Sequence, residues 1–218
     1  MYNEQNITCR SVLSGDCPQS LSTYLKPQMT CQQNPLAFEA FYKLLLKLKP
    51  KRIIEIGTAM GGLTRYLNYM CNELNLKTSI ISYEVNENPD YIDMRKEGID
   101  IRLENIFNSN HNDYNELINT EILDIIQSDG TSLVLCDGGN KVEEFNIFSQ
   151  YIKPGDVIMA HDYAESREVF NAKIKETYWN WHEISDIDIQ DAVESNKLVP
   201  FMQDIFTNAV WVSKQKTI

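Results

Sequence analysis

"RIIEIGTAMGGLTRYL", Arg52 to Leu67, passes from an apolar run through an acid and three glycines into an amphipathic pattern. The run "RIIEIG" is short, rich in isoleucine and closed by glycine, which predicts a buried strand. After it, Leu63, Tyr66, Leu67, Met70 and Leu74 recur at helical spacing. Gly57, Gly61 and Gly62 therefore sit in a strand-to-helix turn. Glycine there permits positive φ and lets the backbone approach a ligand with no Cβ in the way. The helix that follows turns its first N–H groups and positive dipole end toward the same turn.

Working outward, strands and helices alternate. Upstream, "NPLAFEAFYKLLLKLKP" has Asn34 as an N-cap with proline in the first turn, and Pro50 stops the helix. Phe38, Phe41, Leu45 and Leu48 share one face of it. Downstream, "TSIISYEV", "IDIRLENIF", "SLVLCDGG" and "DVIMAHDY" read as four further strands. Between them lie helical segments: "NPDYIDMRKEG" closed by Gly98, "DYNELINTEILDIIQSDG" ended by Gly130, and "KVEEFNIFSQYIKPG". "SREVFNAKIKETYWNW" predicts one more helix, and "WHEISDID" and "NAVWVSK" predict two late strands around an irregular segment. The expected fold is α/β and Rossmann-like. It has a seven-stranded, mostly parallel sheet with an antiparallel edge strand and helices on both faces. Residues 1–33 are polar and are expected to form an extension over the domain of residues 34–218.

Composition narrows the partners. Twenty Lys and Arg against 31 Asp and Glu give a net charge of −11. Such a chain repels phosphate backbones at long range, so no nucleic-acid partner is expected. No apolar stretch approaches the ~20 residues that span a bilayer, so no membrane partner is expected either. The five cysteines, Cys9, Cys17, Cys31, Cys71 and Cys136, form no CxxC pair. They predict reduced thiols in a cytoplasmic protein rather than a zinc site or a disulfide framework. The N-terminus lacks the basic start and apolar core of a signal peptide. The apolar helix at 35–49 either covers the sheet or pairs with a second subunit, so a homo-oligomer stays open.

The glycine spacing carries the chemistry. Dinucleotide sites use G-x-G-x-x-G, whereas this turn reads G-x-x-x-G-G with Glu55 two residues ahead of it. A carboxylate there suits a cationic ligand, an ammonium or a sulfonium, better than a pyrophosphate. About twenty residues on, Glu84 ends the second strand as the acid expected to chelate a ribose diol. Asn105 and Ile106, after the third strand, are placed to meet an adenine edge and face.

Together these residues resemble the class I S-adenosylmethionine-dependent methyltransferases. Glu55, Gly57, Thr58, Ala59, Gly61 and Gly62 lie in the stretch matching the first motif of that class, and Glu84 matches its ribose acid. "QNPLAFEAFYKLLLKLKPKRIIEIGTAMGG" and "DGGNKVEEFNIFSQYIKPGDVIMAHD" are similar to its subgroup of small-molecule and sugar O-methyltransferases and cephalosporin-hydroxylase-like proteins. The resemblance implies S-adenosylmethionine as cofactor, with Asp137 also against it, and a small-molecule acceptor.

A second constellation closes the fourth and fifth strands: Asp137, His161 and Asp162. It offers either metal ligands or a general base. Relatives that use Mg²⁺ carry acids at positions matching Asp137 and Asp162, so Mg²⁺ held by Asp137, Asp162 and His161 is one expectation. Imidazole, however, is a poor ligand for a hard cation. Asn140 stands where some relatives place a histidine, and Lys141 is a weak base unless burial lowers its pKa. His161 is then the expected base, with Asp162 as its orienter or a hydroxyl acceptor. Capping of the following helices is the plain alternative for Asp137 and Asp162. Tyr163, Trp179 and Trp181 either line an acceptor pocket or pack in the core and at its rim, packing being the plainer expectation. His111 and His182 carry no assigned role.

The reading that follows is methyl transfer to a small-molecule or sugar-like oxygen. Three alternatives stand beside it. They are a binder of S-adenosylmethionine or S-adenosylhomocysteine without transfer, a hydroxylase-like relative, and a nicotinamide-dependent oxidoreductase, which the glycine spacing disfavours. Acceptor specificity is expected from residues 1–33 and 185–207.

Overall fold

The computed structural model describes residues 7–9, 29–34, 36–108, 117–177 and 179–217. Its strands are β1 (Ile7–Cys9), β2 (Met29–Cys31), β3 (Arg52–Ile56), β4 (Ser79–Glu84), β5 (Asp100–Leu103), β6 (Ser132–Cys136), β7 (Val157–Ala160), β8 (Leu198–Pro200) and β9 (Val212–Lys216). Its helices are α1 (Leu36–Leu48), α2 (Gly62–Glu73), α3 (Tyr91–Lys96), α4 (Glu121–Gln127), α5 (Lys141–Phe148), α6 (Arg167–Val169, continued by a π-turn to Ile174), α7 (Asp186–Ser195) and α8 (Gln203–Phe206). Seven strands form one sheet in the order β5-β4-β3-β6-β7-β9-β8. All neighbours are parallel except β9, which runs against both β7 and β8. β1 and β2 form a separate parallel pair.

The central strands alternate their side chains between two cores, as the pleat requires. Ile53, Leu133, Leu135, Val157 and Met159 pack with α1, α2 and Trp211 on one face. Ile54, Val134, Cys136, Ile158 and Ala160 pack with α4, α5 and α7 on the other. Burial on both faces explains why these strands are mostly apolar instead of alternating. Phe38, Phe41 and Leu45 are fully buried as expected. The Asn34 side chain accepts the Leu36 N–H at 2.9 Å, which starts α1. Pro35 and His111 lie outside the described residues, as do 113–116 of the fourth helical segment. Cys31, Cys71 and Cys136 are buried free thiols. No helix among the described residues is long and apolar enough to cross a membrane.

The C-terminal third departs from expectation. "WHEISDID" forms no strand. Ile184 makes one isolated bridge to Tyr163, and Ser185 caps α7 with the reciprocal Asp188 contact of a capping box. The edge hairpin is instead β8 and β9. The helix expected through Trp181 ends at Ile174, with turns to Thr177. Trp179 and Trp181 are thereby freed from helical spacing.

The order reverses between β4 and β6 on either side of β3, the switch point at which open α/β sheets bind ligands. The strand ends there are tied closely. Gly57 N–H donates to Tyr83 O at 2.9 Å, and Asp137 N–H donates to Ile56 O at 2.9 Å. Gly57 has φ +91°, and a Cβ on it would lie 2.3 Å from the Asp137 carbonyl oxygen. Gly57→Ala is expected to cost about 2–4 kcal/mol from backbone strain plus overpacking. Urea unfolding measures it, and an unchanged midpoint would mean that the turn relaxes freely.

Candidate active site

Two cavities flank the contact between Gly57 and Asp137. Both are lined by Gly57, Ala59, Asp137 and Gly138. The first, of about 320 Å³, continues along Glu55, Gly61, Gly62, Lys141, His161 and Asp162 to Trp179, Trp181 and Glu183. The second, of about 480 Å³, runs past Tyr83, Glu84, Asn105, Ile106 and Phe107. Every residue singled out in the glycine turn and at the strand ends thus lines one cavity or both.

The turn is held open by its own bonds. Glu84 accepts the Ala59 N–H at 2.8 Å on one carboxylate oxygen, and the Val85 and Asn86 N–H groups on the other. Gly61, with φ +74°, precedes α2 and no side chain caps that helix. The Thr58 hydroxyl lies 2.6 Å from that of Ser82, so Thr58 offers the cavity little beyond its backbone. Glu55 is buried, and its Oε2 accepts from Thr64 and Ser82, both at 2.5 Å. Burial, aided by the charges of Asp137 and Glu84, pushes its pKa up to about 7. Glu55 is therefore a partly neutral acid in the absence of a cation, not the fixed anion its position in the motif suggests.

At the far end of the first cavity lies a dense charge cluster. Asp137 Oδ1 meets His161 Nδ1 at 3.0 Å, and its Oδ2 accepts from Gln33 Nε2 at 2.9 Å. Asp162, with φ +59°, accepts Trp179 Nε1–H at 2.5 Å on Oδ1, and its Oδ2 lies 3.0 Å from Lys141 Nζ. Lys141 also bonds Glu183 at 2.8 Å and the Gly138 carbonyl at 3.1 Å, and lies 3.9 Å from Asp137. His161 packs between Trp179 and Trp211, and its Nε2 is buried with no partner among the described residues. Burial would lower the imidazole pKa, but Asp137 and Asp162 outweigh it and raise it. Burial would raise that of Asp162, but His161 and Lys141 hold it below the usual range.

Several expectations change. Neither Asp137 nor Asp162 caps a helix: Asn140 caps α5 and Ser166 caps α6. The group closest to the His161 ring nitrogen is Asp137, at 3.0 Å, with Asp162 at 3.6 Å. Lys141 is buried, yet three carboxylates raise its pKa despite desolvation, so it is no base. Trp179 is buried in a core cluster, as the packing expectation has it, and Trp181 is half-exposed at the rim; both also line the first cavity. Tyr163 is buried and bonds Asp186, as ordinary packing requires. His182 stacks on Phe170 and takes no part. No residue of 185–207 lines the first cavity; its outer rim is Trp179, Trp181 and Glu183, with Gln32 and Gln33 from the N-terminal side. Gln33 and Trp211, joined at 2.9 Å, had no signal in the sequence, because only folding brings them together.

The residues suit a nucleoside bearing an amino acid. The second cavity carries an apolar wall beside an acid, and the Cβ-free saddle at Gly57 leads from it to the first. They do not suit a hard divalent ion. Asp137, His161 and Asp162 lie within 4.8 Å of one another, but all four of their carboxylate oxygens have protein partners, and an ammonium already sits among them.

This sheet order, with its reversed β9, is Rossmann-like, and the family match that accompanies it makes the protein an S-adenosylmethionine-dependent methyltransferase. The model of the rhamnosyl O-methyltransferase/CmcI family matches residues 22–181, and the chain belongs to that family. Two solved CmcI structures share the fold. One, described as apo, has a TM-score of 0.61 at 10% identity, over 94% of this chain and 80% of that one. The other, described as holding Mg and SAM, has a TM-score of 0.57 at 13% identity, over 97% and 90%. A carbon-methyltransferase domain of the citrinin polyketide synthase reaches 0.51 at 10% identity, over 84% and 54%. No individually curated protein matches the chain. Membership of an O-methyltransferase family replaces the nicotinamide alternative.

Glu144 supplies a pH test of the scaffold. It is buried, accepts the Gly138 and Asn140 N–H groups, and burial pushes its pKa from 4.5 up to about 7. A raised carboxyl pKa stabilises the fold fully below 4.5, and that contribution is lost as pH rises to about 7. Glu144→Gln should remove this part of the slope, up to roughly 3 kcal/mol at ~1.4 kcal/mol per pKa unit. The remaining slope in and next to that window comes from Glu55, His161 and His182. Urea midpoints across the window check it, and an unchanged slope in Glu144→Gln would mean that Glu144 is ionised throughout.

Proposed function

We propose that the protein transfers a methyl group from S-adenosylmethionine to an oxygen of a small, hydroxylated, sugar-like acceptor. The single observation that carries the acceptor half is the buried imidazole of His161. A carboxylate holds its Nδ1 and its Nε2 has no partner among the described residues, at the end of a cavity that begins at the glycine turn. S-adenosylmethionine supplies an already activated methyl group.

The chain's own residues do the rest. Gly57, Thr58, Ala59, Gly61 and Gly62 form the cradle for the amino-acid part, and Glu55 faces its cation. A positive charge near Glu55 favours the ionised form, so binding draws its proton off. Glu84 accepts from the ribose hydroxyls, and Asn105, Ile106 and Asp137 line the base and its approach. Asp137 fixes the His161 tautomer with the proton on Nδ1, leaving Nε2 to take the acceptor's proton. Asp162 keeps the imidazolium stable once it forms, and Trp179 holds Asp162 in place. Trp181 and Glu183 at the rim offer an aromatic face and a hydrogen-bond acceptor, the pair of features that suits a sugar ring. Residues 34–218 are read as the cofactor-binding domain. Residues 1–33 are an extension whose last members, Gln32 and Gln33, reach the acceptor cavity.

Calorimetry with S-adenosylhomocysteine tests the cofactor half: micromolar binding is expected, weakened at least about tenfold, or ~1.4 kcal/mol, in Glu84→Ala. Absence of binding to the unaltered protein would sink the reading. A screen of sugars and glycosides with methyl-labelled cofactor tests the acceptor half. Turnover should rise with pH through a midpoint above the ordinary histidine value of 6.5, because the base acts when neutral. His161→Gln should lose about 100-fold or more in rate while keeping S-adenosylhomocysteine affinity. Full activity in that variant would remove His161 from the chemistry.

A further inference from the structure

We propose that the ammonium of Lys141 stands in the place of a divalent ion between Asp137 and Asp162, so that this site works without a metal. The Lys141 amine has three donors. They meet Asp162 Oδ2 at 3.0 Å, Glu183 Oε2 at 2.8 Å and the Gly138 carbonyl at 3.1 Å, with Asp137 Oδ1 a further 3.9 Å away. These oxygen donors are the kind that a Mg²⁺ ion would gather. Each remaining oxygen of the two aspartates is taken by a fixed protein group: Gln33, His161 or Trp179. A dication entering the cluster would have to displace the ammonium or sit against it.

The sequence places this lysine where local rules oppose it. Lys141 is the first residue of α5, directly after the Asn140 cap, at the positive end of the helix dipole. It is also almost fully buried. Burial and the dipole both disfavour a cation there, and only the surrounding carboxylates offset them. A residue that breaks two local rules and is held by a three-acid cage at a ligand cavity is placed for its charge. Of its partners, Glu183 alone is well exposed, with 46% of its side chain accessible against 8% for Asp162. Glu183 is therefore the exchangeable partner, and an acceptor oxygen that displaces it gains a charge-assisted hydrogen bond from Lys141. This last step rests on the acceptor-site reading above; replacement of the metal by Lys141 does not.

Titration with Mn²⁺ alone, followed by electron paramagnetic resonance, separates the two, because it needs neither cofactor nor acceptor. The full-length protein should bind no Mn²⁺ at this site up to millimolar concentration. Lys141→Ala should gain binding by at least about tenfold, and a second substitution, Asp162→Asn, should abolish the gain. Lys141→Met, which keeps the buried stem, repeats the test if the alanine variant folds poorly. Micromolar Mn²⁺ binding by the unaltered protein, lost in Asp162→Asn, would overturn the proposal. So would two folded Lys141 variants that gain no binding.

Discussion

The architecture of the site depends on one backbone contact. At the end of β3, Gly57 comes so close to Asp137 at the end of β6 that no side chain fits between them. This contact splits the crevice at the sheet's switch point into two cavities and places Asp137 on both. Residues widely separated in the chain, Glu55, Glu84, Asp137 and His161, meet there because parallel strands all end at the same edge. The hydrogen bonds from Gly57 to Tyr83 and from Asp137 to Ile56 extend the sheet one residue past its formal ends.

Electrostatics governs what that geometry can hold. The first cavity has unlike ends. Near the glycine turn is a buried acid with its pKa near 7, ready to ionise against an incoming cation. At the far end, fixed positive and negative groups are interleaved so that each oxygen of Asp137 and Asp162 has a protein partner. Trp179 and Trp211 shield His161 from water, which strengthens its bond to Asp137 and makes its vacant Nε2 unusually demanding of a partner. The far end of the cavity is thus a preorganised polar surface.

Much of the fold was legible in the chain. "RIIEIG", "SLVLC" and "VIMA" are apolar on both faces at most positions, as a strand covered on both sides requires, and the buried polar exceptions Arg52, Glu55 and Ser132 are hydrogen-bonded. Glycine and proline then mark the ends of the helices. The last third was harder because its strands are short and solvent-flanked. "LVP" offers three residues and no periodicity, while the apolar residues of "WHEISDID", Trp181, Ile184 and Ile187, recur every third position and its second half opens α7. There the capping box from Ser185 to Asp188 sets where the helix begins.

The sequence by itself determined the sheet's class, the glycine turn, the acid at the end of the second strand and the identity of the Asp137, His161 and Asp162 group. These signals are local: a spacing, a strand end, a residue type in a turn. Only the tertiary structure decided the roles. It put Asp137 rather than Asp162 against the imidazole nitrogen, neutralised the expected metal ligands with Lys141, and brought Gln33 to Trp211 across the whole chain. It also lined the first cavity with Gln32 and Gln33 from the expected 1–33 and with Trp179, Trp181 and Glu183, and with none of 185–207. The reason is that a side chain's charge state and partners depend on burial and on neighbours distant in sequence, and neither is encoded in any short window.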